Sequence, residues 1–205
     1  MSAVHCFRFQ LILCVLFASL LNACSLFPVN KKVLQNPQWQ SHKHSINKIQ
    51  YWNAQGRFAA KNQKDSWNGQ FHWINDHRNY DIIISAPLNG GSFQLKGNHL
   101  KAELILQDNH HYSDDDANGL IHKYTGISLP INELQYWMLG LPAPDGSIYN
   151  VDFDKQGRLK RFKQSGWTVN FKRYKSQQKV SLPEKIFLEN YAYDVRIIVQ
   201  KWVVD

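Results

Sequence analysis

Cysteine is scarce in this chain, and its placement limits the cross-links that are available. The three cysteines are Cys6, Cys14 and Cys24, so all of them lie within the first 24 positions. A disulfide framework distributes its cysteines through the domain, and no stable internal disulfide is expected in the remainder. A zinc site built from cysteine thiolates within that remainder is excluded for the same reason.

A hydrophobic run long enough to cross a membrane is also lacking. The apolar stretch at residues 11–21 is about 11 residues long, whereas a transmembrane helix needs roughly 20. The length suits the hydrophobic region of a secretory signal peptide. The sequence therefore predicts an exported protein rather than one that spans the bilayer with this segment.

The end of this segment carries a short motif, Leu-Asn-Ala-Cys at residues 21–24. The motif resembles the lipobox of bacterial lipoprotein precursors, where cleavage occurs just before the cysteine. The resemblance implies removal of residues 1–23, an S-diacylglycerol on Cys24 and N-acylation (N-palmitoyl) of its new amino group. The alternative is an ordinary signal peptide with a chance cysteine. Ser25 stands where Asp commonly marks retention in the inner membrane, so the resemblance implies a lipid anchor in the cell outer membrane, on its periplasmic face.

Signatures of catalysis and metal binding are missing as well. The chain has no Gly-x-Ser-x-Gly, no His-Glu-x-x-His and no Walker loop. His110 and His111 stand near Asp114–Asp116, but such histidines usually face solvent, and aspartates suit a helix N-terminus. We therefore expect no enzyme, no metal and no cofactor. The expected membrane anchor also argues against nucleic-acid binding.

Positive charge is in excess, since the formal net charge is +8 and the isoelectric point is about 9.4. The densest clusters are at 158–163 and 171–175, and both alternate in the way that strands do. One interpretation is the solvated face of a sheet. The other is a surface that meets an acidic partner.

Alternation of apolar and polar residues dominates the rest of the chain and predicts β-strands. It is clear in five segments between residues 49 and 108, which are separated by turn-forming Asn, Asp, Gly and Pro. It returns in three segments within 147–174 and two within 185–204. About ten short strands joined by tight turns imply an antiparallel meander, and a sheet of that size must curl.

Residues 113–146 interrupt this pattern with two helical segments. Ser113 or Asp114 is the expected N-cap of the first helix, and Gly126 suits its C-terminal end. Pro130 fits the first position of the second helix. An apolar stripe follows at helical spacing, comprising Ile131, Leu134, Trp137, Met138 and Leu141.

The expected fold is mainly β with inserted helices: a curled antiparallel sheet with a concave apolar face, covered by the helix pair as a lid or plug. Trp137 and Met138 are candidates for lining the lipid cavity, although both would also suit an ordinary core. Residues 24–48 are expected to be the lipidated N-terminus and a tether, with one short helix near 36–48. Residues 49–205 are expected to form a single domain.

Leu88 lies in a turn, between Pro87 and a run of Asn and Gly. Turn tips are usually polar because an apolar side chain there stays in water. Leu88 either folds back onto the edge of the sheet or projects to touch a membrane or an apolar ligand.

Several segments together resemble the LolB family of outer-membrane lipoproteins. They are the lipobox, "QGRFAAK" at 55–61, the Pro-Leu turn, "YTGISLPINELQYWMLGLP" at 124–142 and "VRIIVQKWVV" at 195–204. The resemblance spans nearly the whole mature chain in order. The family often reads Asn-Pro-Leu-Gly at the turn, whereas this chain reads Ala-Pro-Leu-Asn at 86–89.

The resemblance implies a half-open antiparallel β-barrel of the LolA/LolB type, with helices over an apolar cavity. It implies an acceptor that receives acylated lipoproteins from the periplasmic carrier LolA and inserts them into outer-membrane lipid. Leu88 would be the membrane-insertion residue, and we expect a monomer. The alternative function is an assembly-accessory lipoprotein that binds protein partners in the outer membrane without carrying lipid.

Overall fold

The structure is a computed structural model that describes residues 35–86, 91–177 and 179–205. An antiparallel sheet forms most of it. Eleven strands are formed within these ranges. In chain order they are β1 (Tyr51–Lys61), β2 (Ser66–Asp76), β3 (Asn79–Ala86), β4 (Gly91–Gly97), β5 (Ala102–Leu106), β6 (His111–Asp114), β7 (Tyr149–Phe153), β8 (Leu159–Gln164), β9 (Trp167–Gln177), β10 (Val180–Glu189) and β11 (Asp194–Val204). The expectation of about ten strands is close to this number.

Three helices accompany the sheet in the described ranges. They are α1 (Pro37–Ile46), α2 (Ala117–Thr125) and α3 (Ile131–Met138). None of the helices in these ranges is long and apolar enough to span a membrane.

The order of the strands shows how the sheet remains open. Neighbours run β6-β5-β4-β3-β2-β1-β11-β10-β9-β8-β7, so β6 and β7 are the two edges. The chain passes from one edge to the other through α2 and α3. The helix pair is therefore held at both of its ends by opposite edges of the same curled sheet.

All pairs of neighbouring strands are antiparallel, and this places several hairpins at one end of the sheet. The tips at 62–65, 107–110, 165–166 and 190–193 lie at this end, where β3 also finishes and β4 begins. We call it the hairpin end. The opposite end carries the β2–β3, β4–β5 and β7–β8 turns and the beginning of β1.

The pairing of β1 with β11 joins the two halves of the chain. Its register shifts between Gln55 and Gly56, which is a β-bulge that increases the local bend. A Cβ at Gly56 would lie on the carbonyl oxygen of Ile198, only 2.1 Å away. The close approach of the two backbones therefore requires glycine at this position.

Inward-facing residues of the strands form one core. Along β1, Trp52, Ala54, Phe58 and Ala60 are buried and their neighbours are more exposed. Because successive side chains point to opposite faces of a sheet, this alternation is what the sequence pattern predicted for the concave side.

Helix α1 lies where a short helix was expected. Asn36 caps it, since its Oδ1 accepts hydrogen bonds from the backbone N–H groups of Gln38 and Trp39 at 2.9 and 3.3 Å. Trp39 and Ile46 are fully buried in the core. The helix thus packs as part of the folded unit, and the division of the chain at residues 23 and 48 stays a prediction.

The start of α2 corrects the predicted N-cap. Residues His111–Asp114 form the edge strand β6 and pair with Ala102–Ile105, so their backbone is extended rather than helical. Asp116 is the cap, and its carboxylate accepts from the N–H of Asn118. Gly126 ends the helix in the left-handed region, as predicted, and Pro130 stands one position before α3 rather than at its first residue.

Candidate functional site: an apolar cavity beneath the helix pair

The concave face of the sheet forms one wall of a cavity. Strands β1 to β4 and β11 contribute only aromatic and aliphatic side chains to it. These are Phe58, Phe71, Trp73, Ile82, Ile84, Phe93, Leu95, Val195 and Ile197. All of them occupy inward positions, so the wall follows directly from the two-residue period of the strands.

The helices and the loop between them form the other wall. It consists of Ile121, Ile127, Leu129, Ile131, Leu134 and Met138. The two helices are tied together because Asn118 Oδ1 in α2 accepts a hydrogen bond of 2.8 Å from the backbone N–H of Ile131. This bond satisfies a donor at the start of α3, where the preceding Pro130 offers no capping side chain.

The cavity has no polar lining, since all fifteen of these residues are apolar. Such a space favours hydrocarbon and disfavours any polar or charged group, which would lose its hydrogen bonds to water. Its volume is about 50 Å³, so it is a narrow space between the sheet and the helices.

A larger recess opens beside the cavity and forms its mouth. The mouth has a volume of about 710 Å³ and shares Phe58, Ile84, Phe93 and Ile127 with the cavity. Its remaining lining mixes apolar and polar groups, namely Trp67, Ala86, Gly91, Ser92, Leu106, Gln107, Asp108, Tyr124 and Thr125. Most of these strand residues lie at or near the hairpin end, so the cavity opens toward that end.

Comparison with known proteins decides the family. The model of the family "Outer membrane lipoprotein LolB" matches residues 50–202. The chain belongs to the LolB family.

Curated relatives agree with this assignment, and each carries the name outer-membrane lipoprotein LolB. The protein of Nitrosococcus oceani is 34% identical over 164 residues, which cover 80% of this chain and 82% of the relative. That of Pseudomonas aeruginosa is 30% identical and covers 80% of each chain. That of Pseudomonas fluorescens is 31% identical over 190 residues, or 91% of this chain and 92% of the relative.

Solved structures with much lower identity share the fold. A putative outer membrane lipoprotein-sorting protein domain from Vibrio parahaemolyticus has a TM-score of 0.53 at 10% identity, covering 84% of this chain and 93% of its own. A LolA superfamily protein from Nitrosomonas europaea has a TM-score of 0.50 at 7% identity, covering 82% and 93%. Together with the unclosed sheet, they confirm the predicted fold class, and the match to LolB confirms the predicted family.

The two cavity candidates occupy different places in this LolB-family structure. Met138 is buried and belongs to the cavity wall. Trp137 is fully buried outside that wall, with its ring edge-on to Phe162 at 6.3 Å. Its indole N–H donates a 3.0 Å hydrogen bond to Gln164 Oε1. A role for either residue in lipid binding stays a prediction.

The sequence analysis missed Gln164 and most of the cavity wall. Gln164 is a polar residue at an inward position of β8, where Leu159 and Phe162 are the other buried residues. A polar residue in an inward register is a signal for a buried hydrogen-bond network. The wall residues of β1 to β4 follow the alternation of apolar and polar residues along each strand. That alternation identifies inward-facing residues, but it does not tell which of them line the cavity and which fill the core.

Cys24 and Leu88 lie outside the described residues. The described neighbours of the turn that holds Leu88 are Ala86 and Gly91, and both contribute to the mouth. The lipid anchor on Cys24 and the membrane contact of Leu88 therefore stay predictions.

His110 and His111, the two histidines near Asp114–Asp116, each contact a nearby carboxylate. The Nδ1 atoms of His110 and His111 lie 2.8 and 2.9 Å from carboxylate oxygens of Asp108 and Glu103. The pKa of the Glu103 carboxyl is lowered from its ordinary value, and the largest cause is the hydrogen bond between Glu103 and His111. Within residues 35–86, 91–177 and 179–205, no group of three or more His, Cys, Asp or Glu residues is arranged to hold a metal ion.

Part of the basic segment at 171–175 lies on the outer, convex face of the sheet. Lys172 Nζ lies 5.6 Å from the ring centre of Phe187, and the Arg196 guanidinium lies 5.5 Å from the same ring. Arg173 is paired with Glu184, and its Nη2 donates a 2.7 Å hydrogen bond to that carboxylate. Lys172 and Arg196 are thus two cations that lie close to the same aromatic ring.

Proposed function

We propose that this protein is an outer-membrane-anchored acceptor that receives acylated lipoproteins from a LolA-like periplasmic carrier and inserts them into the outer membrane. The observation that carries the proposal is the apolar cavity enclosed between the curled sheet and the helix pair. Membership in the LolB family of outer-membrane lipoproteins supports both the localisation and the role. The role is one of binding and transfer, so no catalytic group is required.

Transfer by this protein depends on how much of the acyl chain is buried in the carrier, in this protein and in the bilayer. Each methylene removed from water contributes about 0.8 kcal/mol, and a long acyl chain contains many. Without an energy source, the acceptor must hold the chain more tightly than the carrier and less tightly than the bilayer. Small differences in the number of buried methylenes are enough to set this order.

The anchor and the turn give the protein its position at the membrane. Acyl groups on Cys24 would hold it at the outer membrane, because several chains together anchor far more firmly than one. Leu88 would contact the bilayer from the turn between the mouth residues Ala86 and Gly91. A single polypeptide is sufficient for this cycle, so the working unit is a monomer.

The convex basic face supports an encounter with an acidic surface on the carrier. Lys172 of β9 and Arg196 of β11 are exposed on that face, on either side of Phe187 in the intervening strand β10. Opposite charges on two proteins mainly speed their encounter, and salt weakens the effect.

The deciding experiment follows a fluorescently labelled lipoprotein from the carrier to the acylated protein. Ile84→Trp places a bulky ring at the boundary between the cavity and its mouth, because Ile84 lines both. Ile83→Trp is the matched control, since Ile83 is the preceding residue of β3, points to the opposite face and is 40% exposed.

We expect Ile84→Trp to lose uptake and Ile83→Trp to keep it, with both variants folded by circular dichroism. Equal uptake by the two variants would show that the cavity does not receive the acyl chains. Failure of the unaltered protein to bind an acyl ligand at all would favour the accessory role.

A further inference from the structure

The tip of the β10–β11 hairpin, residues 190–193, presents a side chain that the fold itself does not use. Tyr191 is 98% exposed, the highest value among the large hydrophobic residues in the described part of the chain. The tip carries no charged residue, since it reads Asn-Tyr-Ala-Tyr. An uncharged tip that ends in an aromatic ring loses little hydration when it meets a membrane interface.

The backbone of this tip is fixed. Asn190 Oδ1 accepts hydrogen bonds of 2.8 and 2.7 Å from the N–H groups of Ala192 and Tyr193. The ring of Tyr193 lies 6.3 Å from that of Trp67, and Trp67 lines the mouth of the cavity. Tyr191 is therefore held outward beside the mouth by a hairpin that packs through its other aromatic residue.

The position of the mouth indicates what Tyr191 faces. The cavity opens toward the hairpin end, so an acyl chain that leaves it emerges there. If the bilayer lay elsewhere, the chain would cross water at a cost of about 0.8 kcal/mol for each exposed methylene. Direct delivery requires the hairpin end to lie against the membrane, and the tip at 190–193 belongs to that end.

The length of the N-terminal segment permits this orientation. Helix α1 begins beside the β7–β8 turn, where Gly157 closely approaches Gln38, so the chain enters at the end opposite the hairpin end. Eleven residues lie between Cys24 and α1's capping Asn36, and fully extended they reach about 36–40 Å. The 11 residues of β11 span about 36 Å, so the anchor can reach the bilayer that the hairpin end contacts.

We propose that Tyr191 is a membrane-interface residue, which places its ring at the headgroup level of the bilayer that receives the lipoprotein. Tyrosine suits this level because its ring is apolar and its hydroxyl forms hydrogen bonds to water and headgroups. The inference rests on the proposed function, since it concerns the delivery step, and it does not involve the turn that contains Leu88.

The test uses single-cysteine labelling of the full acylated protein. After cleavage at residue 23 the only native cysteine is Cys24, whose sulfur is blocked by lipid, so an introduced cysteine is the sole free thiol. Tyr191→Cys and Leu100→Cys are labelled with an environment-sensitive fluorophore. Leu100 is the matched control because it is 68% exposed in the β4–β5 turn, at the opposite end of the sheet.

Both labelled proteins are placed in phosphatidylethanolamine–phosphatidylglycerol vesicles that contain lipids with a nitroxide at the headgroup. We expect quenching and a blue shift at position 191 and neither at position 100. Equal signals at the two positions, or a stronger signal at 100, would overturn the inference.

Function is followed in parallel with Tyr191→Ala and Tyr191→Trp. We expect Tyr191→Ala to slow delivery to vesicles several-fold while uptake from the carrier is unchanged, and Tyr191→Trp to restore delivery. Normal uptake and delivery without quenching at 191 would refute this inference alone. Loss of uptake in the unaltered protein would refute the proposed function instead.

Discussion

The indole N–H of Trp137 donates a 3.0 Å hydrogen bond to Oε1 of Gln164, and both side chains are fully buried. The same Oε1 accepts from the backbone N–H of Ala143 at 2.9 Å. The Nε2 of Gln164 donates to the carbonyl oxygens of Ala143 and Asp145, each at 2.9 Å. One glutamine of β8 thus holds the end of α3 and the segment that follows it against the sheet.

Replacement of Gln164 by Leu should destabilise the fold. The volume of the side chain is nearly kept, but the buried N–H groups of Trp137 and Ala143 lose their acceptor. An unsatisfied buried donor costs about 1–3 kcal/mol, so we expect the free energy of unfolding to fall by roughly 2–4 kcal/mol. Urea unfolding followed by tryptophan fluorescence measures this change.

The control for that change is Gln63→Ala, in the exposed β1–β2 tip. It should stay within about 0.5 kcal/mol of the unaltered protein. Comparable losses in the two variants would show that the Gln164 network does not hold α3.

The stability of the domain should also depend on pH through His42. Burial lowers the pKa of His42 from its ordinary 6.5, the nearby Arg158 cation lowers it further, and Asp154 opposes them. Below pH 6.5 the unfolded chain therefore binds a proton that the folded protein resists. The contribution of neutral His42 to the free energy of unfolding is therefore fully present above pH 6.5. It is lost as the pH falls from 6.5 toward the lowered pKa of His42.

Urea midpoints at pH 7.5 and 5.5 test the role of His42. We expect His42→Gln to show a smaller fall in midpoint between these values than the unaltered protein. His44→Gln, on the exposed side of the same helix, should leave the fall unchanged. A His42→Gln profile that matches the unaltered one contradicts this role.

Leu88→Glu should leave folding and uptake from the carrier intact and abolish delivery to vesicles. A carboxylate in the hydrocarbon costs several kcal/mol, so we expect the delivery rate to fall roughly tenfold or more. Delivery is measured in a reconstituted assay with labelled lipoprotein. Leu100→Glu, at the opposite end of the sheet, is the control and should deliver normally; full activity of Leu88→Glu would remove the assigned role.

Reversal of charge at Lys172 and Arg196 separates the two interpretations of the basic face. If the face meets an acidic carrier, Lys172→Glu with Arg196→Glu should slow uptake about tenfold at low salt. The difference should vanish near 1 M salt, where the Debye length is about 3 Å. Arg78→Glu, in the exposed β2–β3 turn, should have little effect. An unchanged rate in the double variant would leave this face as a solvated surface.

The sequence carried much of the architecture because burial on a strand or helix leaves a local period. The alternation along β1, the apolar stripe of α3 and the glycine that ends α2 were each readable from neighbouring residues. The edge strand β6 was not, since its four residues are mostly exposed and show no alternation. Its extended backbone is imposed by pairing with β5, and that pairing moved the start of α2 to Ala117.

The sequence by itself determined the family, the β-rich class and the apolar inner face, because these depend on motifs and on short-range spacing. Only the tertiary structure decided which inward residues line the cavity and which fill the core. Trp137 and Met138 are adjacent in one helix, yet Met138 borders the cavity and Trp137 bonds to Gln164. The pairing of β1 with β11 brings together residues from opposite ends of the chain. Such contacts depend on the packing of the whole sheet, which no local pattern records.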